Sequence, residues 1–191
     1  MTIRLEKQDW TYEDYCELPE DGNRYEIIDG RLYMTSAPRT LHQILSRRIQ
    51  YRLYELELAN QGFVFNAPCD LVMPGCTPVQ PDLIFLDAGQ VSQIKEKYLE
   101  GVPTLLVEIL SPKSASHDRV TKLNRYASSG VPYYWIVDGA SQSFEVLELV
   151  EGHYRIAHSL TLGDAFDFRG IRFEMDSLFA PVPGLGQLPD T

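Results

Sequence analysis

The amino-acid sequence predicts a mixed α/β fold in which helices pack against a sheet. Three observations support this: short apolar runs of strand length, two segments with apolar residues at helical spacing, and the alternation of these elements along 191 residues. The predicted order is hairpin, helix, several strands, helix, strand and hairpin, which is typical of helices that cover a mixed sheet. We expect one domain over residues 1–180, followed by a poorly ordered Pro/Gly-rich tail over residues 181–191.

The N-terminal part is predicted to contain a short helix, a hairpin and a long helix. Asp9 or Thr11 can cap a short helix that begins near Trp10. Two strand-like runs flank Asp29-Gly30, and this dipeptide is a strong signal for a two-residue hairpin turn. Apolar residues at helical spacing then predict a helix from about residue 41 to residue 58.

The rest of the chain is predicted to build the sheet and its second helix. The expected strands are residues 62–65, 70–73, 81–87, 104–110 and 133–138, followed by a hairpin of residues 143–150 and 153–160. The polar segment 88–103 is expected to be a loop with a helical turn. Residues 118–129 are expected to be a helix that Gly130 ends, with Pro132 just beyond.

Composition and charge limit the classes of function. The net charge of −10 argues against broad, sequence-independent binding of nucleic acid, which relies on lysine and arginine to neutralise phosphates. A local basic patch remains possible. Arg47, Arg48 and Arg52 are the best such patch, and they are either a solvated helix face or phosphate contacts.

Cysteine usage and hydropathy indicate a cytoplasmic protein without a membrane span. The three cysteines are odd in number and lack the spacing of a zinc site, so we expect reduced thiols in the cytoplasm. No apolar run approaches the roughly 18 residues that a membrane-spanning helix needs.

Two acids lie in the most apolar predicted strands. Asp82 opens one run and Glu108 interrupts the other, although a buried charge costs several kcal/mol unless it is paired or binds a metal. If the two strands pair, the two carboxylates approach each other and suit Mg²⁺ or Mn²⁺. On the following helix, Lys122 is expected to point toward the same end of the sheet, with Arg125 as a phosphate contact.

Several motifs resemble one known family. They are Pro81-Asp82, the run from Val107 to Ser114, Asp118-Arg119-x-x-Lys122-x-x-x-Tyr126, and the run from Gly130 to Asp138. Together they are similar to the Uma-type restriction endonucleases of the PD-(D/E)XK nuclease superfamily. The run from Tyr25 to Gly30 and His42 fit that family too, so the resemblance spans roughly residues 20–165.

The resemblance implies a fold, a cofactor and a partner. The fold is a restriction-endonuclease-like αβββαβ core, here with added N-terminal and C-terminal β-hairpins. The implied site holds Mg²⁺ or Mn²⁺ at Asp82 and Glu108 and hydrolyses a phosphodiester of DNA. The family also implies a homodimer, which is common among enzymes that cut both strands of a duplex.

The chain departs from the superfamily pattern at one position. The pattern expects lysine two residues after the second acid, and Leu110 stands there. Lys122 on the next helix is the best replacement, and Lys113 in the preceding loop is the alternative and a candidate nucleic-acid contact. Glu26 and His42 are candidates for supporting roles, although a hairpin acid and a histidine near a helix start can equally be structural.

We therefore interpret the chain as a Mg²⁺-dependent endonuclease acting on DNA, with Asp82, Glu108 and Lys122 as catalytic residues. The alternative is a catalytically weak or inactive nuclease fold that binds nucleic acid or protein, and Leu110 and the negative charge favour it. A third option is a hydrolase of smaller phosphoesters. In the enzyme, replacing either acid is expected to leave stability unchanged or higher, because like charges then repel less.

Overall fold

A computed structural model describes residues 7–19, 21–35, 40–111 and 117–182 of the chain. The helices are α1 (Tyr12–Cys16), α2 (Thr40–Leu58), α3 (Leu123–Ser129) and α4 (Met175–Leu178), with a 3-10 helix at Ala88–Gln93 and a π-helical turn at His117–Lys122. The strands are β1 (Arg24–Ile28), β2 (Arg31–Thr35), β3 (Gly62–Asn66), β4 (Leu71–Met73), β5 (Cys76–Val79), β6 (Leu83–Asp87), β7 (Leu99–Glu100), β8 (Leu105–Ile109), β9 (Tyr133–Asp138), β10 (Ser143–Val150), β11 (His153–Leu160), β12 (Ala165–Phe168) and β13 (Ile171–Glu174). The predicted tail lies outside the described residues apart from 181 and 182.

Six strands form the main sheet, in the order β11-β10-β9-β8-β6-β3. Strands β8 and β9 are parallel, and the other neighbours are antiparallel. The chain order α2, β3, β6, β8, α3, β9 is the αβββαβ core that the resemblance implied, and both added hairpins, β1–β2 and β10–β11, are present. The mixed α/β prediction is therefore confirmed.

A second sheet, in the order β2-β1-β5-β4-β7, was not predicted. Strand β5 contains Pro78, which has no N–H to donate to a strand ladder and argues against a strand at the sequence level. Strand β7 is only two residues long and lies in the segment expected to be a loop, which does contain the expected helical turn. The hairpin β12–β13 was missed as well, because its strands have four residues each and carry a weak pattern.

Strand β6 is buried on both faces because the main sheet has a layer on each side. Leu83 and Phe85 point toward α2, whose buried residues Leu45, Ile49 and Leu53 fill that layer. The alternate residues of β6 point toward the second sheet and form a separate apolar layer with its side chains. None of the described helices is long and apolar enough to cross a membrane.

The pairing of β6 with β8 brings the two predicted acids together. Leu83 pairs with Val107 in antiparallel register, so the next step of the ladder places Asp82 opposite Glu108. The backbone N–H of Ile109 donates to Asp82 Oδ2 at 2.9 Å and fixes the carboxylate against β8. The predicted helix after β8 is present, its first turns are π-helical, and Gly130 ends it with a φ of 86°.

Candidate active site

Four carboxylates and one ammonium group are buried at the end of the main sheet. Glu26 comes from β1, Asp82 precedes β6, Glu108 lies in β8, and Asp118 and Lys122 lie in the π-helical turn. Each of these residues is at most 4% exposed. Buried charges persist only when they are paired or bind an ion, so their partners determine what this site can do.

Lys122 is the centre of this cluster. Its Nζ lies 2.9 Å from Glu26 Oε1, 3.0 Å from Glu108 Oε1 and 3.6 Å from Asp118 Oδ1. Burial by itself lowers the pKa of Lys122, but the three carboxylates outweigh burial and raise that pKa well above its ordinary value. The Lys122 ammonium is therefore stabilised in its charged form. We call these four residues the Lys122 cluster.

Glu108 is the acid whose ionisation the protein disfavours. Burial raises its pKa well above the ordinary value, the nearby charges of Asp118, Asp82 and Glu26 raise it further, and Lys122 opposes them. The Tyr126 hydroxyl also donates to Glu108 Oε1, at 3.0 Å. Within the described part of the chain, no hydrogen bond reaches the other oxygen, Oε2.

Asp82 has the opposite electrostatic environment. Its Oδ2 lies 2.9 Å from His42 Nε2 and accepts the Ile109 N–H, while Arg24 donates to Oδ1 at 3.1 Å. Burial alone would raise the pKa of Asp82, but the His42 contact, the Ile109 N–H and the Arg24 charge together hold it below its ordinary value. Two adjacent acids thus have pKa values shifted in opposite directions, a pattern found where paired carboxyl groups do different chemical work.

A divalent cation fits Asp82 and Glu108 by charge and by free acceptor capacity. In the described part of the chain, four buried acids lie near two basic groups, Arg24 and Lys122, so acids outnumber bases at this site. Asp82 accepts three of the roughly four hydrogen bonds that a carboxylate can accept, and none of the described residues donates to Glu108 Oε2. Among the described residues, no group of three Asp, Glu, His or Cys side chains is arranged to hold a metal. Two carboxylates suffice for Mg²⁺, which usually completes its shell with water and substrate phosphate.

The structure brings five of the seven predicted site residues together. Lys122 and Glu26 meet at Glu108, and His42 lies on Asp82. Arg125 lies elsewhere, because its guanidinium forms an ion pair with Asp29 in the β1–β2 turn. Lys113, the alternative to Lys122, falls outside the described residues. The catalytic roles of these residues stay predictions.

Three contacts of the site were missed at the sequence level. Arg24 precedes Glu26 by two residues in a strand, so both side chains lie on one face, and that spacing could have revealed it. The Tyr126 hydroxyl contacts Glu108, and Tyr126 follows Lys122 by four residues, so helical spacing could have indicated a shared face. Asp118 precedes Lys122 by four residues, and the same spacing could have indicated its contact with Lys122.

The chain matches a protein family in sequence and a solved structure in fold. The Uma2 family, described as "Putative restriction endonuclease", matches residues 12–176. A solved structure from Anabaena variabilis ATCC 29413, titled "a putative nuclease belonging to DUF820", is similar with a TM-score of 0.71 and 14% identity, covering 88% of this chain and 97% of that one. Among curated proteins, none matches the chain significantly. Because the family match extends over most of the sequence and includes every buried charged residue described above, the chain belongs to the Uma2 restriction-endonuclease family.

Proposed function

We propose that this protein is a divalent-cation-dependent endonuclease that hydrolyses phosphodiester bonds in DNA. The observation that supports this most strongly is the contact of Lys122 with Glu108 at 3.0 Å. Leu110 occupies the position at which the superfamily has its lysine, and Lys122 supplies a buried ammonium group to the same acid from the next helix. The chemical set of two carboxylates and one ammonium is thereby complete.

The residues divide into ligands, a cation and groups that hold them. Asp82 and Glu108 would hold Mg²⁺ or Mn²⁺, and a bound ion would lower the pKa of a water and stabilise negative charge on the scissile phosphate. Lys122 supplies a fixed positive charge beside Glu108, and Glu26 keeps that ammonium in place. His42 is a positioning residue, since its contact with Asp82 holds that carboxylate ionised and oriented.

The main alternative is a nuclease fold that binds without cutting. Its support is that three carboxylates pair with Lys122 and that the net charge is −10, both of which weaken attraction for a polyanion. Measuring metal binding distinguishes the nuclease from the binding module. A bound ion would neutralise part of this negative charge at the point where the DNA phosphate must approach. The resemblance also implies a homodimer, which sedimentation of the purified chain would test.

The proposed function is tested by cleavage of supercoiled and linear DNA at low salt and high protein concentration. We expect slow cleavage in Mg²⁺ or Mn²⁺, none in EDTA, and none by Glu108→Gln in any buffer. Glu13→Gln is the matched control because Glu13 is an exposed acid on α1, and it should cut like wild type. Cleavage that persists in Glu108→Gln would indicate a contaminating nuclease. No cleavage by wild type, together with no Mn²⁺ binding in calorimetry, would favour the binding module.

A further inference from the structure

A groove along α2 collects four of the seventeen lysine and arginine residues of the chain. Arg47, Arg48, Tyr51 and Arg52 of α2 line one side, and Arg172 of β13 lines the other. The cavity has a volume of about 490 Å³, and Glu174 is the one acid among its lining residues. We call it the arginine groove. In a chain with a net charge of −10, such a local concentration of positive charge requires a physical reason.

Two of these arginines are held in place mainly by backbone carbonyl groups. Arg48 donates to the carbonyl oxygens of Leu178 and Ala180 at 2.8 and 2.7 Å. Arg52 donates to the carbonyl of Arg172 at 3.0 and 2.6 Å, and it pairs with one carboxylate, Glu55. Backbone carbonyls carry no net charge, so these contacts fix the guanidinium groups while leaving much of their positive field in the groove.

The other two arginines, Arg47 and Arg172, are exposed and could turn toward a ligand. Arg47 is exposed and forms no ion pair with any described residue. The Arg172 side chain is 56% exposed, and its contacts with Asp167 and Glu174 at 3.3 and 3.5 Å are solvent-screened pairs that hold it weakly. Guanidinium groups bind phosphate oxygens in a two-pronged geometry, so this arrangement suits a phosphate.

The groove lies on the helix that also reaches the candidate active site. His42, in the first turn of α2, contacts Asp82, and Arg47 and Arg52 follow five and ten residues later. At about 1.5 Å per residue, they lie roughly 7–15 Å farther along the helix. One strand of duplex DNA presents a phosphate about every 3.4 Å along its axis, so the separation corresponds to about two to four base pairs.

We propose that the arginine groove binds phosphates of duplex DNA a few base pairs from the phosphate at Asp82 and Glu108. This inference rests on the proposed function, since it takes the ligand of the groove to be part of the same substrate. It also answers the objection from net charge, because three arginines of α2 and Arg172 of β13 together provide a local basic patch.

The test measures binding of a fluorescent 20-base-pair duplex by anisotropy, with the full chain in EDTA and over a range of salt. The test variant is Arg47→Gln/Arg172→Gln, because these two side chains make only exposed contacts. The control is Arg31→Gln/Arg155→Gln, which removes the same charge at exposed positions in β2 and β11. We expect the test variant to bind at least about tenfold more weakly and to lower the slope of log affinity against log salt by about 1.8, at about 0.9 per lost phosphate contact.

Three outcomes would overturn the inference. An equal loss in both double variants would mean that only net charge matters, and no loss in the test variant would mean that the groove arginines merely hold α4 and β13. Tighter binding of duplex RNA through the same arginines would overturn the assignment to DNA. The binding assay is independent of cleavage, because EDTA prevents cleavage. If the wild type binds DNA through the arginine groove but never cuts it, the proposed nuclease activity is refuted while the role of the groove stands. If the Arg47→Gln/Arg172→Gln variant binds and cuts DNA normally, the role of the groove is refuted while the nuclease activity stands.

Discussion

Replacing Lys122 by methionine is expected to destabilise the fold more than any other single change at the site. Methionine keeps the length of the side chain and removes the ammonium that contacts Glu26 and Glu108 at 2.9 and 3.0 Å and Asp118 at 3.6 Å. The variant then leaves three buried carboxylates without the ammonium group of Lys122. Removing one partner from a buried ion pair typically costs about 3–5 kcal/mol, a large part of a total stability of about 5–15 kcal/mol.

The loss should depend on pH in a defined direction. Without Lys122, the pKa of Glu108, which burial already raises, rises further above its unfolded value. The penalty at Glu108 is therefore fully present above its raised folded pKa, and it disappears as the pH falls below the ordinary value of 4.5. We expect the difference in unfolding free energy between wild type and Lys122→Met to shrink steadily from pH 8 to pH 5.

Urea denaturation at several pH values measures this difference directly. At about 2–4 °C per kcal/mol for a chain of this size, the melting temperature at neutral pH should fall by about 6–20 °C. Lys97→Met is the matched control, since Lys97 is exposed and its replacement should change stability by less than about 0.5 kcal/mol. A loss below about 1 kcal/mol for Lys122→Met, or a loss that is the same at pH 5 and pH 8, would refute the electrostatic account of the Lys122 cluster.

Three further predictions concern single groups. Glu108→Gln should leave the unfolding free energy unchanged or raise it by about 1 kcal/mol in thermal melts. Burial raises the pKa of Glu108, and the glutamine oxygen still accepts hydrogen bonds from Lys122 and Tyr126. A loss above about 2 kcal/mol would contradict this. Asp82→Asn should cost about 1–3 kcal/mol at pH 7. Because the pKa of Asp82 is lowered in the folded protein, its contribution to the unfolding free energy is present above the unfolded pKa of 3.8 and is lost as the pH falls through the folded pKa. If Asp82→Asn remains equally destabilising in acid, this prediction is contradicted. A disulfide reagent at pH 8 should modify the exposed Cys16 quickly and the other thiols slowly, since burial raises the pKa of Cys69 to about 11 and of Cys76 to about 12; fast reaction of all three would contradict this burial.

The sequence predicted the elements whose periodicity is long or whose turns are distinctive. Helix α2 and the hairpin at Asp29-Gly30 both carry such signals, and both are present. The second sheet could not be predicted, because β5 joins β1 and β7 joins β4 across long stretches of sequence. Pro78 within β5 even argued against a strand there.

The acids of the site were visible in the sequence because a carboxylate in an apolar strand is costly. Their environments were not, since those depend on which side chains packing brings near. Both acids were expected to behave alike when replaced, yet His42 and Arg24 hold Asp82 ionised while burial disfavours the charge of Glu108. Arg172 also contacts Arg52 of α2, although the two residues are 120 positions apart in the chain. No local sequence pattern indicates that contact.

Anomalous diffraction from crystals grown with Mn²⁺ tests the central claim most directly. We expect one anomalous peak between Asp82 and Glu108, with oxygen ligands from both carboxylates at ~2.0–2.6 Å and the rest of the shell filled by water. The peak should be missing from crystals of Glu108→Gln grown in the same way. A site that stays empty at saturating Mn²⁺, or a peak that appears only away from these two carboxylates, would contradict a metal-dependent nuclease and leave a fold that binds without cutting.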